Sequence, residues 1–254
     1  MKTFVYATVA FALATSVTAR TFKVVNKCHY TIWPALFTDL HAGKAVPSHP
    51  TGWEQKAGKT VSFKVPNNWK SGRIWGRRSC DFSKNSGPNA CLDGGCNGGL
   101  LCDKNTGTGV PPATVAEFTL QDGSQDWYDV SLVDGFNIPM RVDNNKGCHV
   151  ADCSVDLNPK CPAALRGPKD KSGKVVGCKS ACVAGLGDRT NNPNCCTGSH
   201  NTAKTCPPSG VAHYSYFKKS CKNSYAYAYD EASKTALFTC PSSKNADYTI
   251  TFCP

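Results

Sequence analysis

The chain has 254 residues, a formal net charge of +11, and 16 cysteines together with 22 glycines and 16 prolines. Because 40% of the residues are hydrophobic and 19% are charged, the composition excludes a disordered chain, and the frequent Gly and Pro exclude a coiled coil or a helical repeat. The basic residues are scattered and carry no recognition-helix or RNA-binding pattern, so no nucleic acid partner is expected.

Residues 1–19 are predicted to be a removable secretory signal. Lys2 is its one charged residue, a mostly apolar run covers 4–14, and Val17, Thr18 and Ala19 fit the small-x-small cleavage rule. The apolar run is too short to span a bilayer, and no later segment approaches that length. We therefore expect a secreted protein of the extracellular space or cell wall, in which the even cysteine count predicts eight disulfides.

Short alternating runs along the chain predict strands separated by turns. They lie at 21–26, 60–65, 72–76, 116–120, 127–133 and 248–252. Many short strands with Gly- and Pro-rich turns favour a β-sandwich or barrel. Two regions depart from this pattern. Residues 80–109 hold four cysteines among glycines, and residues 148–221 hold nine cysteines and the one credible helical segment, 211–221.

Six stretches of the sequence resemble the thaumatin-like proteins, and the resemblance extends over the whole mature chain and all 16 cysteines in order. The stretches are 72–77, 111–119, 128–139, 194–198, 224–228 and 251–254. Two further stretches, 93–99 and 230–238, are most similar to the fungal members. The resemblance covers far more of the chain than a single motif would.

The resemblance implies a mainly β fold, with one thaumatin-like domain over residues 20–254 built from three parts. A flattened β-sandwich core would come from about 20–77, 110–147 and 222–254, a loop subdomain from about 78–109, and a disulfide-rich, partly helical subdomain from about 148–221. It also implies the disulfide pairs Cys28–Cys253, Cys80–Cys91, Cys96–Cys102, Cys148–Cys240, Cys153–Cys221, Cys161–Cys178, Cys182–Cys195 and Cys196–Cys206.

Acidic residues in and after the predicted strands are the candidate functional residues. Glu117 stands between Ala116 and Phe118 in a strand, which is out of character for a buried position. Asp129 lies in the next strand, and a bend after Asp134 would bring the two aspartates to one rim. The resemblance implies an acidic cleft lined by Arg73, Glu117, Asp129, Asp134 and Asp230.

Paired carboxylates of this kind fit the hydrolysis of a glycosidic bond, which needs one protonated acid and one ionised base or nucleophile. We assign Glu117 as the acid, Asp134 as the base or nucleophile, and Asp129 as the neighbour that tunes their pKa. Some thaumatin-like proteins hydrolyse β-1,3-glucan, whereas others only bind it or show no activity. The expected function is therefore binding and hydrolysis of cell-wall β-1,3-glucan or a related polysaccharide.

Other interpretations stay open. The protein could bind glucan without hydrolysing it, its acids could serve only to cap turns and balance Arg73, or it could inhibit other secreted hydrolases. The positive charge could also bring it to anionic membrane surfaces as a permeabilising defence protein. The six histidines show no ligand spacing and oxidised cysteines cannot bind zinc, so no metal or cofactor is expected. A monomer is expected.

Overall fold

The computed structural model describes residues 19–121 and 123–254. Of the predicted signal segment, 1–19, only Ala19 lies within the described residues, where it begins the first strand. Ten strands form within the described part of the chain: β1 (Ala19–Asn26), β2 (Trp33–Thr38), β3 (Thr60–Pro66), β4 (Gly72–Arg77), β5 (Val115–Thr119), β6 (Gln125–Ser131), β7 (Met140–Asn144), β8 (Ala151–Cys153), β9 (Phe238–Pro241) and β10 (Tyr248–Phe252).

The strands make two five-stranded sheets. The first has the order β3-β1-β10-β7-β8 and the second the order β2-β4-β5-β6-β9. In the first sheet β1 and β10 pair in parallel, with Phe22 opposite Tyr248. The other pairs in both sheets are antiparallel. The mainly β fold predicted from the sequence is confirmed.

The inward faces of the two sheets form one core. Alternation along β1 buries Phe22 and Val24 completely, and alternation along β5 and β6 buries Phe118 and Tyr128. The ring centroids of Phe22 and Phe118 are 4.8 Å apart, which places an aromatic contact across the two sheets. Burying each such side chain stabilises the fold by about 1.5–3 kcal/mol.

Helical structure is short and lies outside the sheets. The helix expected at 211–221 is observed as α1 (Tyr214–Ser220), which begins after His213 in the left-handed region at φ 59° and buries Phe217. Single 3-10 turns occur at Pro88–Ala90, Asn158–Lys160, Ala163–Leu165, Gly198–His200, Pro208–Gly210, Asp230–Ser233 and Ser242–Lys244. No helix in residues 19–121 or 123–254 has the length and apolar character needed to cross a membrane.

The eight disulfides have the pairing that the resemblance implied. Cys28–Cys253 links the ends of the adjacent strands β1 and β10. The boundaries of the sandwich core, the loop subdomain and the disulfide-rich subdomain stay a prediction. One segment differs from it. Residues 151–153, expected in the disulfide-rich subdomain, form β8 and pair with β7 in the first sheet, because Ala151 and Cys153 are apolar and pack in the core.

The segment 78–109 packs on the outer face of the second sheet, where Arg77 holds it. Arg77 is fully buried, and its guanidinium donates hydrogen bonds to the backbone carbonyls of Gly99 at 2.6 Å and Leu100 at 2.9 Å. Burial lowers the pKa of Arg77 to about 10. Trp75, on the same face, donates from Nε1 to the carbonyl of Gly94 at 2.7 Å. These contacts attach residues 78–109 to the outer face of the second sheet.

Candidate functional site

A row of charged side chains crosses the outer face of the second sheet. Arg73 on β4 lies opposite Glu117 on β5, and Glu117 lies opposite Asp129 on β6. Their chain neighbours Ile74, Ala116, Phe118 and Val130 point into the core. Because directly opposite residues in antiparallel strands have Cβ atoms about 4.5–5.5 Å apart, the pairing register alone brings the three charged groups together.

Asp134 joins this row from beyond the end of β6. Gly135 has φ +89°, a left-handed conformation that a side chain would strain, and a Cβ there would lie 2.7 Å from the carbonyl oxygen of Cys178. The expected bend after Asp134 is thus present. It directs the Asp134 carboxylate to a short ion pair with Nη2 of Arg73.

Arg73 is the centre of the cluster. Its Nε lies 3.2 Å from Oε1 of Glu117, its Nη2 contacts Asp134, and its Nη1 donates to Oγ1 of Thr108 at 2.8 Å. Burial alone would lower the pKa of Arg73, but the carboxylates of Glu117 and Asp134 raise it above its usual value. Arg73 therefore stays charged and holds two carboxylates on one planar group.

Asp129 is the most enclosed acid of the row. Its residue is 7% exposed, and Oδ1 has no hydrogen-bond partner among the described residues. Burial raises the pKa of Asp129 well above its usual range, and the charge of Glu117 raises it further, while Arg73 acts in the opposite direction. Asp129 therefore keeps its proton to a higher pH than an ordinary aspartate does.

Glu117 is more accessible, with a side chain that is 38% exposed. Desolvation raises its pKa, Arg73 lowers it, the nearby charge of Asp134 raises it, and a hydrogen bond from Ser131 lowers it. The net direction is upward. Glu117 is thus an accessible acid with a raised pKa, a combination suited to donating a proton.

Three members of the cluster were not predicted from the sequence. Ser131 donates a hydrogen bond to Glu117, and Tyr225 donates one to Glu231. Glu231 also lies close enough to raise the pKa of Asp129. Strand alternation could have identified Ser131 as a site residue, since it lies two residues after Asp129 on the same face of the strand. The sequence offered no alternating pattern that could identify Tyr225 or Glu231, because they lie in a loop and a 3-10 turn.

Asp230 does not lie in the cluster, and its expected place in the cleft is wrong. It is 1% exposed, and its carboxylate accepts hydrogen bonds from the Tyr214 hydroxyl at 2.8 Å and from the backbone N–H of Ala226 at 2.9 Å. It also pairs with Nζ of Lys218 at 2.9 Å. The adjacent Glu231 faces the acidic cluster instead, because consecutive residues of the 3-10 turn point in different directions.

The row borders a groove of about 790 Å³ that we call the sheet groove. Arg73, Glu117 and Asp129 line it, and Phe37 and the 39%-exposed Trp127 add aromatic surface. Asp134 lies on the other side of Arg73, where it lines a separate cavity of about 120 Å³. Of the predicted residues, therefore, Arg73 and two acids face the sheet groove directly, and a third acid reaches it only through Arg73.

The family follows from comparison with known proteins. The family model of the thaumatin family matches residues 26–254. The chain belongs to the thaumatin family. A pathogenesis-related thaumatin-like protein 3.5 of Cryptomeria japonica is 43% identical over 240 residues, which cover 93% of this chain and 90% of the relative. Thaumatin-like protein 1 of Arabidopsis thaliana is 41% identical over 245 residues, which cover 92% and 86%.

The relatives just described come from plants, so the similarity to fungal members expected from residues 93–99 and 230–238 is not supported. Those two stretches are loops and a 3-10 turn for the most part, and such segments vary more readily than strands. They are therefore a poor guide to the source of a chain.

A solved structure of a laminaripentaose-producing β-1,3-glucanase in complex with laminaritetraose has a similar fold, with a TM-score of 0.52. It is 12% identical, and the match covers 93% of this chain and 99% of that one. At this identity the likeness concerns the fold alone.

No group of three or more His, Cys, Asp or Glu side chains within residues 19–121 and 123–254 is arranged to hold a metal ion. The 16 cysteines are all in disulfides, so they offer no thiolate ligands. The chemistry supported by this site is that of carboxyl groups and one guanidinium.

Proposed function

We propose that this protein is secreted, that it binds β-1,3-glucan of cell walls in the sheet groove, and that the carboxyl groups beside Arg73 hydrolyse the chain. Eight disulfides fit an oxidising compartment such as the extracellular space. The proposal rests chiefly on one observation. Glu117 and Asp134 contact the same guanidinium, that of Arg73, at the edge of an open groove.

The groove suits a neutral sugar chain. Phe37 and Trp127 offer apolar ring surface, and Asp39, Asn105 and Gln121 add polar groups to its lining. A pyranose ring presents an apolar C–H face and several hydroxyls, so it can pack on a ring and exchange hydrogen bonds with such groups.

The assigned roles follow from the two environments. Glu117, with its raised pKa, is the proton donor to the leaving oxygen. Asp134, in its ion pair with Arg73, supplies the carboxylate that activates water or attacks the anomeric carbon. The two carboxyl groups are close together because both contact the one guanidinium of Arg73, and glycosidases likewise place their two carboxyl groups roughly 5–9.5 Å apart. Asp129 lies opposite Glu117 on the neighbouring strand, and the charge of Glu117 raises the pKa of Asp129.

A second candidate is glucan binding without hydrolysis. The observation that favours it is the position of Asp134, whose carboxylate is held by Arg73 and faces the small cavity rather than the sheet groove. A sugar in the groove would contact Glu117 and Asp129 first. In that case the two acids would form hydrogen bonds with the sugar hydroxyls, as acceptors when ionised and as donors when protonated. Arg73 would keep the acidic side chains in position.

The test measures reducing-sugar release from laminarin by the mature protein. Glu117→Gln and Asp134→Asn should each lower the rate by at least about 10²-fold, the lower end of the contribution of a positioned acid or base. Glu54→Gln, which changes an exposed glutamate outside the site, is the matched control and should keep the wild-type rate. Circular dichroism establishes that each variant is folded.

Sedimentation with insoluble β-1,3-glucan separates the two candidates. If the wild type releases reducing sugar and neither Glu117→Gln nor Asp134→Asn does, the result supports hydrolysis of the glucan by these two acids. Sedimentation without sugar release supports the binding candidate. A folded protein that neither releases sugar nor sediments with the glucan would refute both.

A further inference from the structure

A second enclosed space lies at the other end of β2 from the sheet groove. Phe37, near the end of β2, lines the groove, whereas Trp33, the first residue of β2, lines a cavity of about 340 Å³. At about 3.3 Å per residue the two side chains are anchored roughly 13 Å apart. We call this space the junction cavity, because segments 29–33, 78–79, 156–158 and 170–176 meet around it.

One residue of the lining, Asn158, has a buried amide oxygen with no hydrogen-bond partner in the part of the chain that the structure describes. Asn158 is 3% exposed, and its Nδ2 donates to the backbone carbonyl of Asn137 and to Oδ1 of Asp156, both at 2.9 Å. Because both acceptors face Nδ2, the orientation of the amide is determined, and Oδ1 is the atom left without a hydrogen-bond partner among residues 19–121 and 123–254. Buried polar atoms are rarely unpaired, so this lining residue is unusual.

Three aromatic side chains belong to the same lining. The rings of His29 and Tyr30 are perpendicular, with centroids 5.1 Å apart, and Trp33 is half-buried. The Arg78 guanidinium lies 6.0 Å from the Tyr30 ring centroid, which holds that ring in place. Such rings offer flat apolar surface beside polar groups, the combination that binds a molecule with one apolar face and many hydroxyls.

The charges around the junction cavity are balanced. The lining holds two basic side chains, Arg78 and Lys174, and two acidic ones, Asp156 and Asp170. Neither an anion nor a cation would gain from an excess of opposite charge there. A neutral ligand is therefore favoured, and its hydroxyls would donate to the acidic and amide oxygens and accept from Arg78 and Lys174.

The cavity also continues into a wider hollow of about 1120 Å³, with which it shares Ser79, Leu92 and Asp170. Polar side chains such as Asn85 and Asn89 line the extension. A ligand in the junction cavity therefore has a polar path along which a chain can continue.

We propose that the junction cavity is a second saccharide-binding site, which takes a neutral pyranose unit of an oligosaccharide against Tyr30 and Trp33, with its hydroxyls paired to the polar side chains of the lining. The site lies apart from the acidic row and does not depend on hydrolysis there. A protein with two such sites would hold one sugar chain at two points or join two chains.

The test uses the disulfide-bonded mature protein, labelled with ¹⁵N and titrated with laminaritetraose and, separately, chitotetraose. At least one probe should shift the backbone resonances of 30–33, the Trp33 indole N–H and the Asn158 side-chain amide in a saturable way. Trp33→Leu should weaken this binding about tenfold, in the range of an aromatic contact plus its buried area. Trp53→Leu, which changes a half-buried tryptophan outside the cavity, is the matched control and should bind within about twofold of the wild type.

Exposed His29 gives a second variant, His29→Ala, in case Trp33→Leu does not fold. It should weaken binding several-fold while the spectrum stays that of the folded protein. The proposal is overturned if neither tetraose shifts these resonances, or if the shifts occur only around Arg73 and Glu117. It is also overturned if calcium chloride alone shifts the Asn158 amide and neither sugar does. Loss of laminarin hydrolysis in Glu117→Gln has no bearing on this outcome, so the two proposals fail separately.

Discussion

Replacing Asp93 with Asn should flatten the pH dependence of stability. The Asp93 side chain is fully buried, and its carboxylate accepts hydrogen bonds from Arg78 at 2.8 Å and from Nδ2 of Asn137 at 2.9 Å. Burial raises the pKa of Asp93 from its usual value near 3.8 to about 6, although both partners act in the opposite direction. The folded protein therefore holds this proton more tightly than the unfolded chain does.

The sign of the effect follows from that difference. The contribution of Asp93 to stability is fully present below about pH 4 and is lost as the pH rises through about 6. A pKa that moves from 3.8 to about 6, at about 1.4 kcal/mol per pH unit, corresponds to about 3 kcal/mol. Asn cannot ionise, so the free energy of unfolding of Asp93→Asn should not fall by this amount between about pH 4 and pH 6, as that of the wild type does. This expectation holds whatever the stability of the variant at low pH.

Guanidinium chloride unfolding, with the disulfides intact and from about pH 4 to about pH 8, gives the free energy of unfolding of both proteins. Asp81→Asn is the control. It changes an exposed acid whose pKa is lowered by hydrogen bonds from Ser83, so its contribution to stability is constant above the ordinary pKa of an aspartate, and the slope through pH 6 should stay that of the wild type. Parallel curves for wild type and Asp93→Asn would refute the assignment of a buried, proton-retaining Asp93.

Three further outcomes are expected. Trp127→Ala should weaken sedimentation with insoluble β-1,3-glucan about tenfold, because the exposed ring lines the sheet groove, and sedimentation should not change at high salt. Asp230→Asn should lower the free energy of unfolding by about 3 kcal/mol, because it leaves the partly buried Lys218 without its carboxylate, as guanidinium chloride unfolding would show. Ser131→Ala should shift the alkaline limb of the pH profile of laminarin hydrolysis to higher pH, because it removes a hydrogen bond that lowers the pKa of the proton donor Glu117.

The sequence predicted the strands whose side chains alternate, and these are the strands with one face in the core. β1, β3, β4, β5, β6 and β10 were found in this way. β2 was missed because it lacks alternation. Pro34, Ala35 and Leu36 are all buried, since the core covers one face and the segment 78–109 covers part of the other. The strands β8 and β9, with three and four residues, were too short to show a period. β7 has five residues and was missed although Met140 and Val142 alternate with less buried neighbours.

The disulfides needed the family resemblance, since 16 cysteines leave far too many pairings for spacing to decide. The family resemblance was also needed to bring the residues of the candidate site together. Arg73 and Glu117 are more than forty residues apart in the chain, and only the register of β4 on β5 makes them neighbours. A slip of one residue would turn Glu117 into the core.

The same reasoning explains why Asp230 was misplaced. Alternation assigns a face to a residue in a strand, but Asp230 and Glu231 lie in a 3-10 turn, where no such rule holds. The resemblance identified the segment correctly and the residue incorrectly. Only the contacts of each side chain distinguish the acid that stabilises the fold from the one that faces the cluster.

The crowding of acids around Arg73 gives a test of whether this cluster serves function or structure. Burial and the Glu117 charge raise the pKa of Asp129, so its ionisation costs stability as the pH rises above the usual range of an aspartate. Asp129→Asn removes that cost and should therefore make the protein more stable than the wild type at neutral pH, with the gain disappearing in acid. An acid retained at the expense of stability is what a functional site shows. If guanidinium chloride unfolding finds Asp129→Asn less stable at neutral pH, the carboxylate holds the fold together, and the cluster is better explained as structural.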